Sequence, residues 1–438
     1  MMTRLFFKCV RNHKALWTQR LPELLESCSS ICSRTACSNL KGEKPDLYRY
    51  LHSKILACGP ISLAEYMKVI LTHPIGGYYM EKDVFGEKGD FTTSPEISQL
   101  FGEMIAIWIV HEYRKISRQP FQLVELGPGR GTLIKDILSV FNQLKITNTS
   151  VHLVEISPAL SKIQAENLCA DFNDNEPVKN NDQSNALTYY KKGVTKDGVN
   201  IYWYYSVYDV PRKFSVFLAH EFFDALPIHK FQKLGSEWKE VLVDVIENAN
   251  EEKFRYVLAK TPTCSLYTAE QRTKDHLEVS PQSIAIVDYV SQFLKESGGF
   301  AIIFDYGHQG ERTDTFRAFR EHKLHDPLSQ PGTADLTADV DFSMLKDIAE
   351  RDNRVLTLGP VTQRSFLKNL GIDVRLTKLL QTATKQQRQK LESGYHMIMD
   401  EDKMGTRFKV FSIFPFVLKE YFQKLPVAGF QGRSGPKL

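Results

Sequence analysis

The 438-residue chain predicts an α/β fold, a mostly parallel sheet with helices on both faces. Three observations lead there. Apolar runs of strand length alternate with helical stretches from residue 121 onward. The first of those runs empties into a glycine-rich loop and then a helix. A middle stretch switches to period-two alternation, which suits antiparallel strands added to such a core.

Taken in order, residues 47–58 and 61–71 read as amphipathic helices, the second begun by Ser62 as cap. His73, Pro74, Gly76 and Gly77 break the pattern. Ser94, Pro95 and Glu96 open another helix with proline in its first turn, and the stretch through Trp108 and Tyr113 is apolar enough to lie against a sheet. Leu123, Val124 and Leu126 make a buried strand; Gly127, Gly129 and Gly131 turn the chain; Leu133, Ile134, Ile137, Leu138 and Phe141 share one face of the next helix. Strands follow at 151–155, 201–205 and 215–219. The polar segment 170–198 reads as a surface insertion or disordered loop. Alternation between 228 and 260 marks the antiparallel lobe, 281–295 a helix, 299–305 a fifth core strand, and 354–358 and 408–414 the last two. The core therefore has seven strands.

The loop spacing selects the ligand. A dinucleotide fingerprint is Gly-x-Gly-x-x-Gly, but here the third glycine comes one residue early, at Gly131. Glu125 precedes the loop, where its charge opposes a pyrophosphate and suits a cation. An acid followed by alternate glycines is the pattern of class I methyltransferases, whose S-adenosylmethionine carries a sulfonium. Glu155 ends the next strand, 26 residues after Gly129, where a carboxylate can take both ribose hydroxyls. The alternative is a glycine turn in another α/β protein, with Glu155 a solvated strand end.

The fourth strand runs into His220, Glu221, Phe222, Phe223 and Asp224. In this fold class that segment faces the reactive methyl. Two carboxylates could hold the N–H fork of a guanidinium and localise a lone pair, while the aromatics shape an apolar slot. The competing reading has both acids capping the next helix and both phenylalanines in the core. Asp305 and Tyr306, ending the fifth strand, are the next candidate wall. Asp335, Asp339 and Asp341 could suggest a metal, but their apolar spacers and the lack of nearby histidine argue against one.

Composition narrows the partners. Net charge is +4 with Lys and Arg dispersed, so no basic stripe points to nucleic acid. No apolar run approaches the roughly 18 residues of a membrane span. Before Glu23 there is no acid, while Arg4, Lys8, Arg11, Lys14 and Arg20 punctuate Leu5, Phe6, Phe7, Val10, Leu16 and Trp17, with serines following. That is the texture of a mitochondrial transit peptide, placed at 1–44; a disordered cytosolic tail is the alternative. Four of seven cysteines fall in it, and Cys58, Cys169 and Cys264 suggest neither disulfides nor zinc. The remaining divisions are a helical region at 45–118, a cofactor-binding half at 119–227, the lobe at 228–280, the rest of the core at 281–420 and a tail at 421–438.

Six motifs in order carry a resemblance over about residues 48–415: those beginning at His73, Gly89, Glu125, Glu221, Asp305 and Gly332, with a further stretch from Gly405. On them the chain resembles the MidA-type mitochondrial methyltransferases, assembly factors of respiratory complex I that methylate arginine. One departure is His220, where that family commonly has Asn. The resemblance implies a matrix enzyme acting on iron–sulfur subunit 2 of complex I (the 49-kDa type), with symmetric dimethylarginine as product. A non-catalytic assembly chaperone that binds S-adenosylmethionine is the alternative, and an NAD-dependent dehydrogenase a third.

Overall fold

The computed structural model describes residues 47–80, 93–173, 188–246, 253–261, 263, 275–312 and 314–430. The leader at 1–44, the motif residues 86–92, Cys264 and the end of the tail from 431 lie outside the described residues.

Among the described residues ten strands form the main sheet, nine of them on one path: β1 (Phe121–Leu126), β2 (Thr149–Val154), β3 (Asp171–Asn173), β4 (Lys191–Val194), β5 (Asn200–Tyr204), β6 (Ser215–His220), β7 (Gly299–His308), β8 (Val355–Thr362) and β9 (Phe408–Pro415). Their order is β8-β9-β7-β6-β1-β2-β5-β4-β3. From β7 to β5 all pairings are parallel; β9 runs antiparallel to both β7 and β8. The seven expected strands are therefore all present. The two-residue strand Val340–Asp341 adds a parallel pairing to the end of β7.

Period-two alternation explains why the core strands read as unbroken apolar runs. Leu123, Val216, Leu218, Phe300, Ile302 and Phe304 join the core with helices Gln99–Ile116 and Thr132–Gln143. The intervening Val124, Phe217, Ala219, Ala301 and Ile303 join helix Pro281–Ser297 in a second core. Both faces are covered, so both sets are apolar. Trp108 is fully buried and meets Phe300 edge-on at 5.4 Å.

Several elements differ from the sequence reading. The second helix begins at Leu63, not Ile61: Ser62 does cap it, accepting from Glu65 N at 3.1 Å, but Ile61 and Ser62 pair with Val243 and Leu242 of the strand Glu237–Val245. The helix opened by Ser94 stops at Ile97, and Ser98 caps the long helix that follows. The segment 170–198 is not all loop; β3 and β4 zip antiparallel and extend the sheet, because β5 would otherwise present an open edge. Residues 174–187 of it lie outside the described residues. The lobe is an antiparallel sheet of Ile61–Ser62, Glu237–Val245, His229–Leu234 and His276–Val279, with Phe254–Leu258 on Glu237–Val245. Its Val243, Val245 and Phe254 pack with Leu51, Ile55, Tyr66 and Ile70, so the first two helices serve the lobe rather than the core sheet. A three-stranded sheet of Arg317–Arg320, Lys323–His325 and Asp335–Thr337 was not anticipated. The described part of the tail docks: Trp108 Nε1 donates to Ala428 O at 2.9 Å and Val427 is buried. Among the described residues no helix is long and apolar enough to cross a membrane.

Gly299 opens β7 at φ 112°, where an added Cβ would stand 1.8 Å from Ser215 O. Gly299→Ala is expected to lose at least about 2 kcal/mol of stability, measured by urea unfolding; an unchanged midpoint would contradict this account of the β6–β7 junction.

Candidate active site

Parallel strands buried on both faces leave polar chemistry to their carboxyl ends. β1 ends at Leu126, and Gly127, Gly129 and Gly131 then take left-handed φ values of 64°, 53° and 78°. Gly127 N donates to Val154 O at 3.0 Å, tying the loop to the end of β2. A Cβ on Gly127 would come 2.9 Å from Phe222 Cδ2, so only glycine lets the two loops meet. Gly131 caps the helix that starts at Thr132.

Gly127, Gly129 and Glu155 line a cavity of about 1440 Å³, whose wall also carries Glu221, Phe222, Asp224 and Tyr306. The structure thus brings most of the expected residues to one place. Glu125 is buried outside that wall; among the described residues its Oε2 has no hydrogen-bond partner. Burial, and then the charge of Glu155, raise its carboxyl to about 8. Burial raises Glu155 to about 7 against the pull of its donors, Ser157 N at 2.7 Å and Gln164 Nε2 at 2.9 Å.

The loop after β6 is strained. Glu221 takes φ 49°, an uncommon conformation for a side chain of its size. Asp305 holds it there: fully buried, it accepts from Phe222 N at 3.3 Å, Phe223 N at 2.9 Å and Tyr306 N at 2.9 Å. Expected as a wall of the site, Asp305 stands behind the loop as its clasp. His220 is placed away from the cavity wall, edge-on to Phe101 at 5.1 Å and stacked on Phe408 at 6.0 Å. Burial lowers its imidazole to about 3, so it is neutral beside Glu221 Oε1, 3.6 Å from its Nδ1.

Burial and the neighbouring Asp224 hold the Glu221 carboxyl well above its ordinary range, and Asp305 is raised by burial and by Asp224. Asp224 rises to about 6 through burial, with Arg317 pulling it back. The Arg317 guanidinium is itself engaged with Asp339 at 2.6 Å, which also takes Arg312 at 2.9 Å. The cavity therefore gathers carboxyls whose neighbouring arginines, Arg317 and Arg312, are both engaged by Asp339.

Three contributors were missed in the sequence. Asp335 lines the cavity, its Oδ1 accepting from the Tyr79 hydroxyl at 2.7 Å. The three acids weighed there as metal ligands have separate tasks: Asp335 faces the cavity, Asp339 binds two arginines, and Asp341 caps helix Phe342–Ala349. Tyr79 also accepts from Ser157 Oγ at 2.6 Å through its carbonyl, joining the β2 turn to Asp335. Gln164, fully buried, donates to Gly129 O at 2.7 Å and Glu155 Oε2, and accepts from Trp203 Nε1 at 2.9 Å. Its signal was a glutamine in the apolar stripe Leu160, Gln164, Leu168.

An orphaned buried acid, a cradle that a Cβ would fill and a carboxylate in the cavity wall fit S-adenosylmethionine; of the five residues expected for it, Gly127, Gly129 and Glu155 line the cavity and would hold it, while Glu125 and Gly131 stand outside the wall. A family model described as S-adenosyl-L-methionine-dependent methyltransferase matches residues 104–361. A human protein named "Protein arginine methyltransferase NDUFAF7, mitochondrial" is 50% identical over 376 residues, 84% of this chain and 83% of that protein. The chain belongs to this family. It is an S-adenosylmethionine-dependent methyltransferase of mitochondria. The Drosophila melanogaster homologue is 48% identical over 90% of this chain and 91% of its own length. A Burkholderia thailandensis crystal structure with bound S-adenosyl-homocysteine shares the fold at TM-score 0.67 and 22% identity, covering 88% of this chain and 92% of that one. For this methyltransferase, the mixed sheet that contains the seven expected strands and its helical extensions form a class I fold.

Two predictions follow from the carboxyls and their donors. Glu125 is raised to about 8, against an unfolded value of about 4.3. Its contribution to stability is full below the unfolded value and is lost as pH climbs through the folded one, so the ligand-free protein should weaken between about pH 5 and 8. Glu125→Gln should flatten that slope in thermal melts. A cationic ligand favours the ionised form, so S-adenosylmethionine affinity should rise about tenfold over this range, with proton release in calorimetry; a pH-independent affinity would refute the assignment. Gln164→Leu removes the Gln164 partner of Glu155 Oε2, Gly129 O and Trp203 Nε1, and should cost about 2 kcal/mol and weaken cofactor binding, read by unfolding and calorimetry.

Proposed function

We propose that this enzyme methylates a protein arginine in the mitochondrial matrix, and that its substrate is iron–sulfur subunit 2 of complex I, with symmetric dimethylarginine as product and complex I assembly as its purpose. The observation that supports an arginine acceptor is the carboxyl group set of Glu221, Asp224 and Asp335 in the wall of the cavity that also holds the glycine loop. The relatives' printed name, protein arginine methyltransferase, agrees with it.

The cofactor supplies an electrophilic methyl for in-line displacement. The chain's own work is alignment and charge. Phe222, against Gly127, presents an apolar surface between loop and acids. Glu221 and Asp224 take the N–H fork of the guanidinium and localise its lone pair on one nitrogen. A guanidinium entering this set reverses the rise in their carboxyl pKa values, which favours a cationic acceptor over a neutral one. Each methyl added releases one proton from the acceptor nitrogen. Glu221, raised by burial and by Asp224, is placed to take it. Asp305 and Tyr79 contribute by holding Glu221 and Asp335 in place.

The test is Glu221→Gln. Methyl transfer to subunit 2, followed by mass spectrometry, should fall at least about 100-fold, while calorimetric S-adenosylmethionine affinity stays within about twofold. A normal rate would remove Glu221 from the acceptor site. Full complex I assembly by the inactive variant would assign the protein a binding role in assembly instead.

A further inference from the structure

The cavity is charged in two zones. Its less exposed carboxyls are Asp224 and Asp335, both buried, and the half-buried Glu221, with Glu155 and the arginine-paired Asp339 also in the wall. Its more exposed charged residues are mostly cationic, and they reach it from four segments. Lys390 comes from helix Lys385–Met399 and Arg407 from the turn Met404–Arg407, both exposed. Arg312, after β7, keeps its side chain 64% exposed while touching Asp339. Lys409, in β9, is half-buried with Nζ donating to Thr406 O at 2.7 Å. Burial lowers the Lys409 ammonium, and the charges of Glu311 and Arg312 both bear on it, so these side chains are near neighbours. Glu311 opposes them in the exposed part of the lining, and its Oε2 already accepts from Gln309 N at 2.6 Å.

Resting on the arginine reading above, we propose that the substrate docks through acidic side chains flanking its acceptor residue, which pair with Lys390, Arg407, Lys409 and Arg312 while the acceptor enters the carboxyl set. An arginine alone is drawn to the interior acids but repelled by the cationic mouth. A segment with an arginine between acids matches both zones, and a basic segment is rejected at the mouth.

A peptide panel tests this on the full chain with S-adenosyl-homocysteine present. Peptides carry Arg or Ala at the centre and Glu, Ala or Lys in the flanks. Fluorescence anisotropy should rank Glu-flanked peptides about tenfold tighter than Ala-flanked ones at low salt, Lys-flanked ones weakest, with the gap closing at high salt. The variant Lys390→Glu/Arg407→Glu should invert the ranking and leave S-adenosylmethionine affinity unchanged. Equal affinities across the flanks, or a ranking that the variant does not disturb, overturns the proposal. The central residue separates it from the arginine reading. A flank ranking that persists with Ala at the centre, while the Arg peptides go unmethylated under S-adenosylmethionine, keeps the docking surface and removes the arginine acceptor. Methylation of Arg peptides without any flank ranking does the reverse.

Discussion

Burial of the sheet on both faces governs the molecule. With Leu123 and Val124 packed into opposite cores, and the same alternation in β6 and β7, a polar group placed along the strands without a partner is costly. Chemistry is pushed to the carboxyl ends. Parallel register then collects the glycine loop after β1, Glu155 after β2, and the Glu221 loop after β6, which Asp305 of β7 secures.

Collecting acids there works against folding. The protein offsets most of the conflict with directed donors: backbone N–H groups on Asp305, Gln164 and Ser157 on Glu155, Tyr79 on Asp335, two arginines on Asp339. Glu125 Oε2 and Glu221 Oε1 stay without hydrogen-bond partners among the described residues. Both residues belong to the set proposed above to meet the cofactor or the acceptor. Stability is conceded where a cationic ligand can restore it.

Local signals made much of this legible. Glycines at alternate positions after an apolar run need only a few neighbouring residues to be read, and so does an acid at the end of the next run. The central core strands β1, β6 and β7 showed as apolar runs because both of their faces are buried. The lobe showed through period two. What escaped was long-range. Tyr79 reaches Asp335 across 256 positions, and Ile61 pairs with Val243. β3 and β4 are short and polar at the sheet edge, where little burial marks them as strands. His220 and Asp305 were legible as residues near the site, yet not which way each would face.

The sequence by itself determined the fold class, the cofactor and the segments that bear the acids, because each rests on hydrophobic period or on spacing within one strand–loop–helix unit. Only the tertiary structure decided the tasks within the cavity: Asp305 as clasp rather than wall, His220 as packing, Asp335 as a third interior acid, Gln164 as the link between glycine loop and Glu155. Those tasks depend on which donors meet each carboxylate. Residues far apart in the chain supply most of them, and no local pattern records such meetings.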